Sequence, residues 1–251
     1  MIRSVLAVLC LMSVSVAVAA EPKTPPQPPK ELVKAWEEAG AEFAFKPAVG
    51  FKLEVTLGEL TPKPKPGTVL TFIFGKTPKI GWDKLPLPKQ PFRLEFVAGV
   101  TEFDDESIKG ITRHQELVCL DLGVTDITNA GLKEIVGLKN LKSLRFLDPR
   151  MSPKAISDDG LKQIGELKQL TELVMMSFRF TDDGLKYLAS LNQLTSLSVS
   201  SPRITDKGLK HLVSLKQLAE LDLSLTNVTA EGAKELQMAL PKVKIKIRES
   251  R

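Results

Sequence analysis

A 24-residue period in the second half of the chain constrains its fold more than any other feature. The unit reads most clearly from Thr181, as Thr-Asp-Asp-Gly-Leu-Lys-Tyr-Leu, followed by Leu191, Leu194, Leu197 and Val199. Thr205 opens the next copy, Thr-Asp-Lys-Gly-Leu-Lys-His-Leu, continued by Leu215, Leu218, Leu221 and Leu223. Gly131, Gly160, Gly184, Gly208 and Gly232 mark the phase at spacings of 29, 24, 24 and 24, and the long interval holds its five extra residues near Arg150 to Lys154. A degenerate copy lies 24 residues before Gly131, with Ser107 in the glycine position and His114 where the next copy has Leu138.

The pattern Leu-x-x-Leu-x-Leu puts alternate apolar residues on one side of a short strand. Leu117/Leu120/Leu122, Leu141/Leu144/Phe146 and Leu170/Leu173/Met175 are examples. A turn then leads to Thr128, Ser157, Thr181, Thr205 or Thr229, each suited to cap a helix N-terminus. Asp158, Asp182 and Asp206 follow at once, where a helix dipole favours negative charge. The glycine two residues further on lowers helix propensity, so its recurrence predicts a close approach between the helix and the neighbouring backbone. A single unit cannot bury its apolar face, but stacked units share a continuous core in which each touches only its neighbours. The expected fold over residues 92–251 is therefore an α/β solenoid of stacked strand–helix units with a parallel sheet. Its last helix runs from Ala233 to Leu240 and is broken by Pro241. Val243, Ile245 and Ile247 then alternate with Lys242, Lys244, Lys246 and Arg248, an edge strand whose charges discourage further pairing.

These Thr-Asp-x-Gly-Leu-Lys starts and Leu-x-x-Leu-x-Leu strands resemble the leucine-rich-repeat superfamily, and within it a class of bacterial exported proteins. The 24-residue unit also looks like the cysteine-containing repeats of F-box proteins, but those cysteines and an F-box are missing, so a ubiquitin-ligase role is not carried over. The resemblance implies a curved leucine-rich-repeat solenoid, with a parallel concave sheet and convex helices, whose concave sheet binds protein or another macromolecule. The segment from Ala35-Trp36 to Pro91-Phe92 resembles the leader that precedes the repeats in such proteins.

The first hundred residues have a different character. Arg3 followed by the apolar run Val5 to Val16 and the small residues Ala17-Val18-Ala19 predicts a secretory signal over residues 1–20. The run is shorter than the ~20 residues a spanning helix needs, and no other run is long enough, so no transmembrane segment is expected. Residues 21–30 form a Pro-rich linker. Residues 31–91 predict a small α+β cap: a helix over Glu31 to Gly40 and a hairpin of Phe51–Val55 with Thr68–Phe74, joined through the loop Thr61 to Gly67. Removal of the signal leaves Cys119 as the sole thiol, so no intramolecular disulfide staples the fold.

Charge and chemistry narrow the function. Residues 101–251 carry 22 basic and 21 acidic residues, which excludes the concentrated basic footprint of a nucleic-acid binder. His114 and His211 lie four repeats apart, and no Cys–His pair, metal-ligand cluster or phosphate-cradling glycine loop occurs. His114 is read as structural, and no enzyme activity, metal or cofactor is expected. Strand residues between the leucines point toward the concave side. They are Cys119/Asp121/Gly123, Ser143/Arg145/Leu147, Glu172/Val174/Met176, Ser196/Ser198/Ser200, Glu220/Asp222/Ser224 and Lys244/Lys246/Arg248. The middle rows cluster Leu147, Val174 and Met176, and clustered apolar surface marks interaction sites. The candidate partner-binding set is therefore Arg145, Leu147, Glu172, Val174, Met176 and Ser198. Cys119 on the same side is either a reactive thiol or a shielded spectator. Lys244 and Lys246 are expected to pair with Glu220 and Asp222. Lys133, Lys162, Lys186, Lys210 and Lys234 form a ladder on the convex side, an alternative contact for polysaccharide or an anionic surface. Asn227-Val228-Thr229 fits a glycosylation sequon but coincides with the repeat's own turn. The overall expectation is a monomeric, exported, periplasmic or extracellular scaffold that binds a macromolecule.

Overall fold

The computed structural model describes residues 24–47, 68–76, 78, 81–96, 103–148, 150 and 154–247. Among these, nine strands form one open sheet in simple chain order. They are β1 (Ala41–Pro47), β2 (Thr68–Phe74), β3 (Phe92–Phe96), β4 (Leu117–Asp121), β5 (Ser143–Asp148), β6 (Glu172–Ser177), β7 (Ser196–Ser200), β8 (Glu220–Leu223) and β9 (Lys244–Ile247). β1 pairs antiparallel with β2, and every later pair is parallel. The helices are α1 (Lys30–Glu38), α2 (Asp105–Ile111), α3 (Asn129–Ile135), α4 (Asp158–Ile164), α5 (Asp206–Leu209) and α6 (Ala230–Ala239). Short 3-10 turns occupy Trp82–Lys84, Gly184–Ser190 and Lys210–Leu212.

The parallel register stacks the leucines. Leu94, Leu120, Leu144, Leu173, Leu197, Leu221 and Ile245 form one unbroken row. The first six are at most 1% exposed. Beneath them lie Ile108, Leu132, Leu161, Leu185 and Leu209 from the helical side of each repeat, all buried. Each such side chain contributes about 1.5–3 kcal/mol when removed from water. The predicted solenoid, with its sheet-and-helix layering, is what these rows build.

A polar relay runs beside the apolar rows and explains the Thr-Asp-x-Gly motif. Asp182 reaches forward to the next repeat, where its carboxylate accepts from the Thr205 backbone N–H at 2.8 Å and from the Thr205 hydroxyl at 2.7 Å. Asp105 does the same to Thr128, Asp158 to Thr181 and Asp206 to Thr229. In one interval Asn129 substitutes for the acid and Ser157 for the threonine, and the amide donates to the serine hydroxyl. The recurring glycine leaves room for this contact. A Cβ at Gly184 would stand 2.1 Å from Asp158 Oδ1, and one at Gly232 would stand 2.1 Å from Asp206 Oδ1. The close approach expected at the glycine is thus to the preceding repeat's side chain rather than to its backbone.

Capping follows the same residues unevenly. The hydroxyls of Thr128, Thr205 and Thr229 accept from the first turn of their own helices. Ser157 makes no such cap bond, its hydroxyl accepting from Asn129, and Thr181 precedes a 3-10 turn instead of an α-helix.

The N-terminal unit joins the same sheet. Its partner for Thr68–Phe74 is Ala41–Pro47, a segment not expected to be a strand, while Phe51–Val55 lies outside the described residues. Phe43 and Phe45 alternate there with Glu42, Ala44 and Lys46, which is strand patterning. α1 brings Trp36 down onto the core, stacked on Phe72 at 4.1 Å and edge-on to Phe92 and His114. The Trp36 indole N–H donates to the Pro86 carbonyl at 3.0 Å. The aromatic residues therefore concentrate at this end, and the repeats beyond are mainly aliphatic.

Candidate partner-binding face

The parallel register sets the outward-facing residues in rows across the sheet. One row runs Arg93, Cys119, Ser143, Glu172, Ser196, Glu220, Lys244. The next runs Glu95, Asp121, Arg145, Val174, Ser198, Asp222, Lys246. A third places Leu147 beside Met176 and Met176 beside Ser200. Leu147, Val174 and Met176 are thus brought together on β5 and β6, each half-buried, with the half-buried Ser198 alongside on β7. On the other side of Leu147 lies Gly123, whose N–H donates to Asp121 and whose carbonyl accepts from Leu147 N–H. Gly123 takes a φ of +53°, a left-handed turn, and offers no side chain to cover Leu147.

Toward the N-terminal end the same face is closed and charged. Arg93, Glu95, Cys119, Asp121, Ser143 and Glu172 are all at most 9% exposed. Glu95 receives both Arg93, in a short contact, and Lys46, at 2.5 Å. Arg145 donates from Nε to Asp121 at 2.8 Å. Burial raises the Asp121 carboxyl above the usual carboxylate range, although the Arg145 charge opposes it. Glu172 accordingly belongs to the floor of the face, while Arg145, Leu147, Val174, Met176 and Ser198 are half-buried, Arg145 held by Asp121. Cys119 is fully buried among these charges, and burial pushes its thiol far above the ordinary range. Of the two readings of Cys119, burial favours the shielded spectator, since a reactive thiol needs exposure and a lowered pKa. The signal was absent from the sequence because strand parity gives the direction of a side chain, while burial depends on the long residues beside it.

Toward the C-terminal end the face opens into hydroxyls and charges. Asp222 accepts from Ser224 at 2.5 Å and pairs with Lys246 at 2.9 Å, as expected. Lys244 lies opposite Glu220 in register, but no ion pair joins them. On the helical side Lys133, Lys162, Lys186, Lys210 and Lys234 are all exposed, and Lys109 in the degenerate copy extends the ladder by one. Asn227 is exposed, yet its amide donates to the Pro202 carbonyl at 2.7 Å, so the sequon is used by the turn itself. Arg150 is a further structural residue that sequence reading missed. It ties the long interval together through Asp148, Asp126 and the Ile127 carbonyl.

Residues 217–236 match the family model described as Leucine Rich repeat. With the same unit stacked along one sheet, the assignment follows. The chain carries leucine-rich repeats. An internalin (inlF) of Listeria monocytogenes is similar to this chain at 22% identity and TM-score 0.47, with 64% of this chain and 41% of that one covered. The chain therefore corresponds to less than half of that internalin's length. Internalin C2 (inlC2) of the same organism is 18% identical, TM-score 0.47, with 90% of this chain and 99% of that one covered. A leucine-rich-repeat protein of Leptospira interrogans is 18% identical, TM-score 0.40, with 61% and 41% covered. No curated protein matches the sequence significantly. Among the described residues no helix is long and apolar enough to cross a membrane.

Proposed function

We propose that the protein is a non-catalytic, exported scaffold whose leucine-rich-repeat sheet binds a protein partner on its concave face. The observation that carries this reading is the patch of Leu147, Val174 and Met176. Three half-buried apolar side chains sit together in rows that are otherwise polar or charged. Apolar contact supplies affinity, and the hydroxyls of Ser198 and Ser200 at its edge supply hydrogen-bonding partners. Arg145, held by Asp121, flanks the patch, and the buried Glu172 lies in the floor beside it. Export rests on the signal pattern of residues 1–20, which lie outside the described residues; amino-terminal sequencing of the protein recovered from outside the cytoplasm tests it. The domain division at residues 30 and 91 belongs to the same proposal.

The test of the concave patch is capture of a partner from envelope extract by the intact chain and by Val174→Glu/Met176→Glu. Loss of the captured protein in the double variant supports the reading, and unchanged capture rejects it. A second reading places the contact on the exposed Lys133–Lys234 ladder, meeting polysaccharide or an anionic surface. Salt separates the two. A contact on the ladder is screened at high ionic strength, whereas one on the apolar patch persists.

A further inference from the structure

The C-terminal edge of the sheet differs from every other part of the array. β9 pairs with β8 on one side, and among the described residues no strand covers its other side. Ile245 and Ile247 are half-buried there, whereas Leu221 and Leu223, their counterparts on β8, are at most 1% exposed. The relay that joins each repeat to the next also stops. Ala230 stands 24 residues after Asp206, in the position of the reaching carboxylate. The edge therefore offers main-chain hydrogen bonds and apolar contact, but no socket for a further repeat of this kind.

Its charges define what fits. The outward rows alternate in sign across the last two strands, Glu220 beside Lys244 and Asp222 beside Lys246. Both lysines are exposed. Two copies of β9 set edge to edge would bring lysine against lysine, so the strand repels itself. A strand carrying carboxylates in the outward rows and apolar residues in the inward rows continues both patterns.

We propose that β9 is an acceptor edge for an extended acidic segment of a protein partner, which adds a tenth strand with its carboxylates over Lys244 and Lys246. Main-chain hydrogen bonds to the edge give such a complex its affinity, and the alternate side chains give it selectivity. This surface is separate from the Leu147–Val174–Met176 patch, so either assignment stands or falls without the other.

The test uses the purified chain and fluorescein-labelled peptides of alternating Glu and Val, read by anisotropy. The acidic peptide is expected to bind, while a Lys/Val peptide and a Glu/Val peptide with alternate backbone nitrogens methylated are not. Lys244→Gln/Lys246→Gln is expected to weaken the acidic peptide about tenfold, from the loss of two exposed ion pairs. The Lys→Arg pair retains binding, and Val174→Glu/Met176→Glu leaves it unchanged. If melting shows the double glutamine variant to be unstable, Lys244→Gln alone carries the test, since it leaves the Asp222–Lys246 pair in place. Equal binding of the methylated peptide, no binding of the acidic peptide, or a glutamine variant that self-associates with undiminished peptide affinity each overturns the proposal.

Discussion

His114 occupies a leucine position in the first, degenerate repeat and is 2% exposed. Its Nε2 lies 3.4 Å from the Trp82 carbonyl, its Nδ1 has no partner, and Trp36 and Phe92 pack against the ring. Burial, reinforced by the Arg113 charge and opposed by the Trp82 carbonyl, lowers its pKa to about 4. The folded chain thus holds a neutral imidazole that the unfolded chain protonates near pH 6.5. Stability from this residue is complete above about pH 6.5, and falls as the pH drops toward 4, by something of order 3 kcal/mol. Melting temperatures recorded across that window should fall, and His114→Leu should remove this part of the slope. The relay residues make a second prediction. Asp182→Ala strands the Thr205 N–H and hydroxyl and should cost about 1–3 kcal/mol in urea unfolding. Asp182→Asn should cost less, because Asn129 already serves Ser157 in this way.

Helical elements depend on a residue that disfavours helices. Gly184→Ala would gain about 0.4–1 kcal/mol by restricting the unfolded chain, yet its Cβ would collide with the Asp158 carboxylate that holds Thr181. The displaced carboxylate forfeits its hydrogen bonds, so the substitution should lower stability by about 1–2 kcal/mol net. Urea denaturation of the variant measures it, and a stabilised variant would show that the relay is dispensable. The period, the helix starts and the inward leucines were legible because each repeats in register. β1 is not legible in this way, because Ala41–Pro47 is a single unrepeated segment whose alternation is carried by two phenylalanines. Outward residues were legible in direction only. Cys119 and Val174 have the same parity, but Cys119 has Arg93 and Asp121 close by and is sealed, whereas Val174 has the small Ser198 on one side and stays half-open.

Across the whole molecule, an array in which repeats touch only their neighbours distributes its stability locally. Trp36→Ala, which empties the aromatic cluster and frees the Pro86 carbonyl, should cost about 3–5 kcal/mol. The loss should be confined in space. Amide exchange is expected to quicken in β2 and β3 while β7 and β8 keep their protection, and uniform quickening would mean that the sheet unfolds as one body. The candidate face lies between these regimes, on the boundary between sealed charges and open hydroxyls, a position no single repeat displays by itself. The relay, finally, gives the chain a rule for growth. The 24-residue modules that open at Thr181 and Thr205 each carry a receiving end, Thr with its glycine, and a sending end, the aspartate. A gene segment encoding residues 181–204 can therefore be copied in tandem and still match at both junctions. The Asn129–Ser157 joint allows no such free exchange, since each half is keyed to the other. Lengthening of this array by duplication is thus admitted at some seams and penalised at one, and the penalised seam joins the two repeats whose strands, β5 and β6, carry the candidate patch.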